Sequence, residues 1–188
     1  MTSVSDDVAT VQRALDLEPG PVLLVGHSYG GVVITEAGND PKVNGLVYIS
    51  AYAPDTGQTV ISLNGLAPAT PVNQEIILNA GFLSLTEQGI SSDFAPDLPE
   101  PEKQTLAATQ GPVAAVAFNT KATSPAWYIK PSWYMVASED RVISPQLEAL
   151  MAQTINAETI TVRSSHVIML ARPDAVADLI AHAAHGRD

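Results

Sequence analysis

The sequence predicts an α/β fold, a mostly parallel sheet with flanking helices, on three observations. Short β-branched apolar runs alternate with stretches of helical periodicity along the chain. The runs lack polar alternation, as expected of strands covered on both faces. One of them enters a glycine-rich turn, Gly26-His27-Ser28-Tyr29-Gly30, and the chain turns apolar again directly afterwards.

The elements follow in order. Val4, Val8, Val11 and Leu15 recur at helical spacing, with Ser3 as N-cap, Asp6 and Asp7 in the first turn and Pro19-Gly20 as the stop. Residues 22–25 form a strand bounded by Gly20 and Gly26, and a helix runs from about 30 to 37, ending at Gly38-Asn39-Asp40-Pro41. Further strands are predicted at 46–50, at 133–137 after the breaker Pro131, and at 158–162. Ser144-Pro145 opens a helix through Leu147, Leu150 and Met151, and Pro173 opens another with Val176, Leu179, Ile180 and Ala183 on one face. Residues 54–126, rich in Pro, Gly, Ser and Thr, interrupt this rhythm and are too long for a bare loop. They are expected to form a small helical cap over one end of the sheet, within a single domain spanning 1–188.

Composition excludes several classes of function. Twenty acidic against nine basic residues give a net charge of −11, which repels phosphate backbones and anionic lipid, so neither nucleic acid nor membrane is an expected partner. The chain has no cysteine, which removes disulfides, thiolate metal sites and cysteine nucleophiles. The segment Met1-Thr2-Ser3-Val4-Ser5-Asp6-Asp7 lacks the basic and apolar regions of a signal peptide and predicts a cytoplasmic location. No metal is expected: His182 and His185 share a helix face but have no placed third ligand. No cofactor is expected either, because the glycine turn lacks dinucleotide-binding spacing.

Gly26-His27-Ser28-Tyr29-Gly30 fits G-x-S-x-G between a buried strand and a helix, the setting that presents a serine at a sharp turn. Glycines at 26 and 30 are expected because a Cβ at either place would meet neighbouring backbone. A serine hydroxyl needs a histidine to take its proton and a carboxylate to orient that histidine. Of the four histidines, His27 adjoins the serine, and His182 and His185 lie on the last helix. His166 follows a strand end, and parallel strands share their C-terminal edge, so it opens on the side of Ser28. Ser138-Glu139-Asp140-Arg141 follows another strand and places a carboxylate, Glu139 or Asp140, at that edge.

With the stretches "GHSYGG", "PSWYMVASEDRVISP" and "SSHVIMLARPDAVADLI" in this order, the sequence resembles small bacterial α/β-hydrolases of the esterase and hydroxynitrile-lyase-like branch. The resemblance implies a catalytic triad of Ser28, Asp140 and His166, with Asp140 rather than Glu139 as the acid and His27 as a structural neighbour. It implies Tyr29 N–H as one oxyanion donor. The His-Gly loop that carries the second donor in such enzymes has no counterpart in these residues, and neither do the strands that precede the elbow strand. The strand at 22–25 is therefore expected at the edge of a four-stranded sheet. Either it pairs with a second copy as a homodimer or the chain is a shortened form of a longer product.

The function expected is hydrolysis of small carboxylic esters through an acyl-enzyme, with Phe82, Leu83, Leu85 and Phe94 lining an apolar acyl pocket. A hydroxynitrile lyase of this branch carries a lysine beside the catalytic histidine, whereas Val167 and Ile168 follow His166 here. The alternative is a catalytically impaired remnant of the fold acting as a ligand- or partner-binding module.

Overall fold

The computed structural model describes residues 1–186. Four parallel strands, β1 (Val22–Ser28), β2 (Val43–Ala51), β6 (Ser132–Ala137) and β7 (Glu158–Val162), form one sheet in the order β1-β2-β6-β7. Helices α1 (Val4–Leu17), α2 (Gly30–Ala37) and α7 (Pro145–Thr154) pack on one face, and α8 (Ile168–Ala171) and α9 (Pro173–His185) on the other. The predicted caps are present: Ser3 Oγ accepts from Asp6 N–H at 3.1 Å, and Pro145 and Pro173 occupy first helical turns. Strand periodicity divides the core cleanly. Leu46, Tyr48, Tyr134 and Val136 face α2 and α7, while Val47, Ile49, Trp133, Met135 and Ala137 face α9. Burial on both faces explains why these strands show no polar alternation. β1 has a single neighbour, as its expected edge position requires, and Val25 on it is exposed. Among the described residues, no helix is long and apolar enough to cross a membrane.

The insertion carries α3 (Val60–Asn64), α4 (Glu87–Gly89), α5 (Glu100–Thr109) and α6 (Ala115–Phe118). It also contains a feature the helical expectation missed, a three-stranded antiparallel sheet of β3 (Ile76–Asn79), β4 (Phe82–Leu85) and β5 (Val113–Ala114). Its hairpin turns at Ala80 and Gly81, with φ of 48° and 83°. Both values are positive, as a two-residue turn matched to strand twist demands, but alanine at the first position hides the usual Asn-Gly or Gly-Gly signal.

Where β1 meets α2, the register slips by one residue, so that Ser28 pairs with Ala51 and the extra residue Ser50 takes φ 41°. The glycines are required differently from the sequence-based expectation. A Cβ on Gly26 would stand 2.7 Å from the Gly30 carbonyl oxygen, but one on Gly30 would meet nothing within 4 Å. The second obligatory glycine is Gly31, where a Cβ would stand 2.2 Å from the Tyr52 carbonyl oxygen. Gly30 lies on the open side of the first turn of α2, whereas Gly31 faces the chain leaving β2.

Gly31→Ala is thus expected to destabilise the fold by about 1–3 kcal/mol, lowering Tm by about 2–4 °C per kcal/mol. Gly30→Ala should be neutral or slightly stabilising, up to about 1 kcal/mol. Thermal unfolding of the two variants beside wild type checks both signs.

Candidate active site

The last residue of β1 is Ser28, held at φ 54°, a left-handed conformation that costs a non-glycine residue energy and is kept only where surrounding structure enforces it. The enforcement comes from both sides. The Ser28 carbonyl accepts from Tyr52 N–H at 3.1 Å, and α2 begins two residues on, with Gly26 and Gly31 allowing the close approach. Tyr29 follows as the N-cap of α2. Its ring is buried, stacks on Phe118 at 5.7 Å and donates its hydroxyl to Asp7 Oδ2 at 2.9 Å, so α1 and the insertion both brace the turn. Backbone N–H groups of a first helical turn have no carbonyl four residues earlier to bond, and they stand beside Ser28.

His166 lies in the loop after β7 and is fully buried. Its Nδ1 donates to Asp140 Oδ2 at 2.6 Å. The other oxygen of Asp140 accepts from the backbone N–H groups of Val142 at 2.6 Å and Ile143 at 3.0 Å. Burial pushes the Asp140 carboxyl up, but the His166 charge and these hydrogen bonds prevail and hold it below the usual carboxylate value. Glu139, the competing carboxylate, points outward and pairs with Arg163 at 2.7 Å. The bond to Asp140 fixes the tautomer of His166 and leaves Nε2 as the free nitrogen, buried and without a hydrogen-bond partner. Ser28 Oγ is accordingly not hydrogen-bonded to Nε2.

His27 does more than adjoin the serine. Its Nε2–H donates to the His166 carbonyl at 2.9 Å, and the two rings lie 4.5 Å apart. Burial, then the nearby His166, pulls its pKa down to about 3, so it stays a neutral donor tying the elbow to the histidine loop. Successive side chains along a strand point apart, and that local rule hid a contact made across 139 residues.

The insertion supplies residues that no motif flagged. Asp97 accepts from Ser165 N–H at 2.9 Å, Ser165 Oγ at 2.5 Å and Ser164 Oγ at 3.1 Å, gripping the two residues before His166. Buried Asp93 binds Arg141 Nε at 2.7 Å, beside Asp140. Phe94, between them, sets its ring edge-on against His166 at 5.2 Å and His27 at 6.5 Å. Of the four residues expected to line the acyl pocket, Phe94 is thus at the histidine, whereas Leu85 ends β4, paired with Ile76 of β3. Phe82 and Leu83 lie on β4, paired with Asn79 and Leu78 of β3 and with Ala114 and Val113 of β5. His182 is engaged elsewhere, with Glu158 at 2.7 Å, and His185 Nδ1 with the Ala181 carbonyl at 2.6 Å.

Known proteins share this architecture. A protein described as alpha/beta hydrolase nvfD, from Aspergillus novofumigatus, is 29% identical over 197 residues, covering 96% of this chain and 78% of its own. A carbendazim hydrolyzing esterase from a Nocardioides species is 41% identical over 58 residues, 30% of this chain and 24% of its own. Among solved structures, a pyrethroid hydrolase from Sphingobium faniae superposes with a TM-score of 0.80 at 21% identity, covering 99% of this chain and 79% of that one. Tomato methylketone synthase I does so with a TM-score of 0.82 at 16% identity, covering 98% and 80%. The profile of the alpha/beta hydrolase family matches residues 2–179, and the chain belongs to that family.

Proposed function

We propose that the chain is a serine hydrolase that cleaves small carboxylic esters through Ser28, His166 and Asp140. The observation that carries the reading is the buried 2.6 Å pair of His166 and Asp140, with Nε2 left free, in ring contact with the residue preceding Ser28. An esterase among the relatives supports the substrate class.

The chemistry follows from the arrangement. His166 Nε2 takes the Ser28 hydroxyl proton as the oxygen adds to the ester carbonyl, and Asp140 stabilises the imidazolium that forms. Tyr29 N–H, at the head of α2, donates to the oxyanion. Collapse expels the alcohol with the proton from Nε2. Water then adds to the acyl group while His166 takes its proton, and that proton returns to Ser28 as the carboxylic acid leaves. Phe94 walls the reacting atoms with apolar surface, and Phe82 and Leu83 on β4 are the other cap residues proposed to meet the acyl group. Apolar walls favour a neutral ester and exclude water until the acyl-enzyme has formed.

One observation favours the second reading, a binding module that keeps the fold without turnover: Ser28 Oγ and His166 Nε2 are not hydrogen-bonded. Turnover separates the two. Wild type should hydrolyse p-nitrophenyl acetate, Ser28→Ala should lose about 10³-fold or more, and Asp140→Asn, which favours the wrong tautomer, about 10⁴-fold. Wild-type activity no higher than that of Ser28→Ala would favour the binding module.

Asp97→Ala tests the clamp on the histidine loop. Losing its three hydrogen bonds should lower kcat about 10- to 100-fold through misplaced His166, with a smaller change in KM. Steady-state kinetics on the same ester checks the split.

A further inference from the structure

Behind the Asp140–His166 pair lies a carboxyl group that the chemistry above does not use. Glu148, in the first turn of α7, is fully buried on the sheet-facing side of its helix. Its Oε2 accepts from Ala137 N–H, the last residue of β6, at 3.0 Å. Its Oε1 meets no N–H or O–H donor. Asp140 stands in the turn directly after β6, its N–H donating to the Ala137 carbonyl at 3.2 Å, so that its charge acts on Glu148. Two carboxylates are both acceptors, so this pair can bond only if one of them holds a proton.

The proton belongs to Glu148. Asp140 has an imidazole N–H and two backbone N–H groups around it, all of which favour its charged form. Glu148 has the single Ala137 N–H. The other titratable groups facing it are the hydroxyls of Tyr134 on β6 and Tyr52 beyond β2, both pushed up by burial and therefore neutral, with His166 on the far side of Asp140. Among the described residues, no cation adjoins it to offset a second negative charge. Burial, then the Asp140 charge, drives the Glu148 carboxyl well above the usual carboxylate range.

We propose that Glu148 is a neutral, proton-donating positioning residue whose O–H bonds Asp140, fixing the carboxylate that in turn orients His166. Asp140 is then held by donors on both sides: Glu148 and the Val142 and Ile143 amides from the fold, and the His166 imidazole from the site. The arrangement makes the Asp140–His166 pair sensitive to a proton it does not itself carry. The effect on ester hydrolysis rests on the function proposed above, but the protonation state of Glu148 does not.

The experiment compares wild type with Glu148→Gln, whose amide can donate to Asp140 and accept from Ala137, and with Glu148→Met, which fills the space without a donor. If the native state holds the Glu148 proton, the unfolded chain releases it above its ordinary carboxylate pKa. Wild type must then lose stability relative to Glu148→Gln as pH rises. The ratio of the folding constants, Glu148→Gln over wild type, should climb by about tenfold per pH unit from roughly pH 5 upward until Glu148 itself titrates. A ratio flat across that range overturns the proposal, and because no substrate is involved, a failure of the esterase reading cannot mimic it. The positioning role is read from the His166 Nδ1–H proton resonance. It should persist near its wild-type position in Glu148→Gln and move or broaden in Glu148→Met. An unmoved resonance in a folded Glu148→Met would mean that Glu148 only fills space. Should Glu148→Met fail to fold, the Glu148→Gln resonance decides alone, since its displacement would show that the donor does not hold Asp140 as proposed.

Discussion

A carboxylate taken out of water keeps its charge only when the protein surrounds it with donors, and the 2.6 Å bond between Asp140 and His166 exists on that condition. Two backbone N–H groups from the turn after β6 meet one oxygen of Asp140, and the imidazole meets the other. Without those donors burial would favour the protonated form of Asp140, and the tautomer of His166 that leaves Nε2 free would no longer be fixed. The sheet makes the meeting possible, because parallel β6 and β7 end on one edge and release the two loops side by side.

The same edge receives Ser28 from β1, but by a different device. Here the backbone is bent rather than the side chain held: a register slip, positive φ at Ser28 and Ser50, and two close approaches that only glycine allows turn the chain within a few residues. The strain is local and is resisted by packing on every side, through Tyr52, Asp7 and Phe118. His27 then links the two halves of the site through the His166 carbonyl, and the insertion locks the loops from above with Asp93 and Asp97. A cap residue that holds a loop and a cap residue that walls the site, Asp97 and Phe94, lie three positions apart in sequence.

What the sequence revealed and what it concealed follow one physical division. The sheet, its helices and the positions of Ser28, Asp140 and His166 at one rim are legible because strand burial, helix caps and glycine turns are written in adjacent residues. The edge position of β1 rests instead on the family resemblance, whose preceding strands have no counterpart in these residues. Contacts that close over long separations are not legible: Asp97 with Ser165, His27 with the His166 carbonyl, and Glu148 behind Asp140 leave no periodic or compositional trace. The cap sheet escaped because Ala80 occupies a positive-φ turn position where glycine or asparagine would have announced it. Gly31 rather than Gly30 makes the close approach, and spacing alone does not say which of two adjacent glycines faces the opposing chain.

The central claim is that Ser28 is made nucleophilic by His166. Covalent labelling with a fluorophosphonate, followed by peptide mapping, tests it most directly, since the reagent reacts with an activated serine and reports which residue carries the adduct. The account predicts a single adduct on Ser28 in wild type and none in His166→Ala. An unlabelled wild type, an adduct on another residue, or undiminished labelling of Ser28 in folded His166→Ala would contradict it.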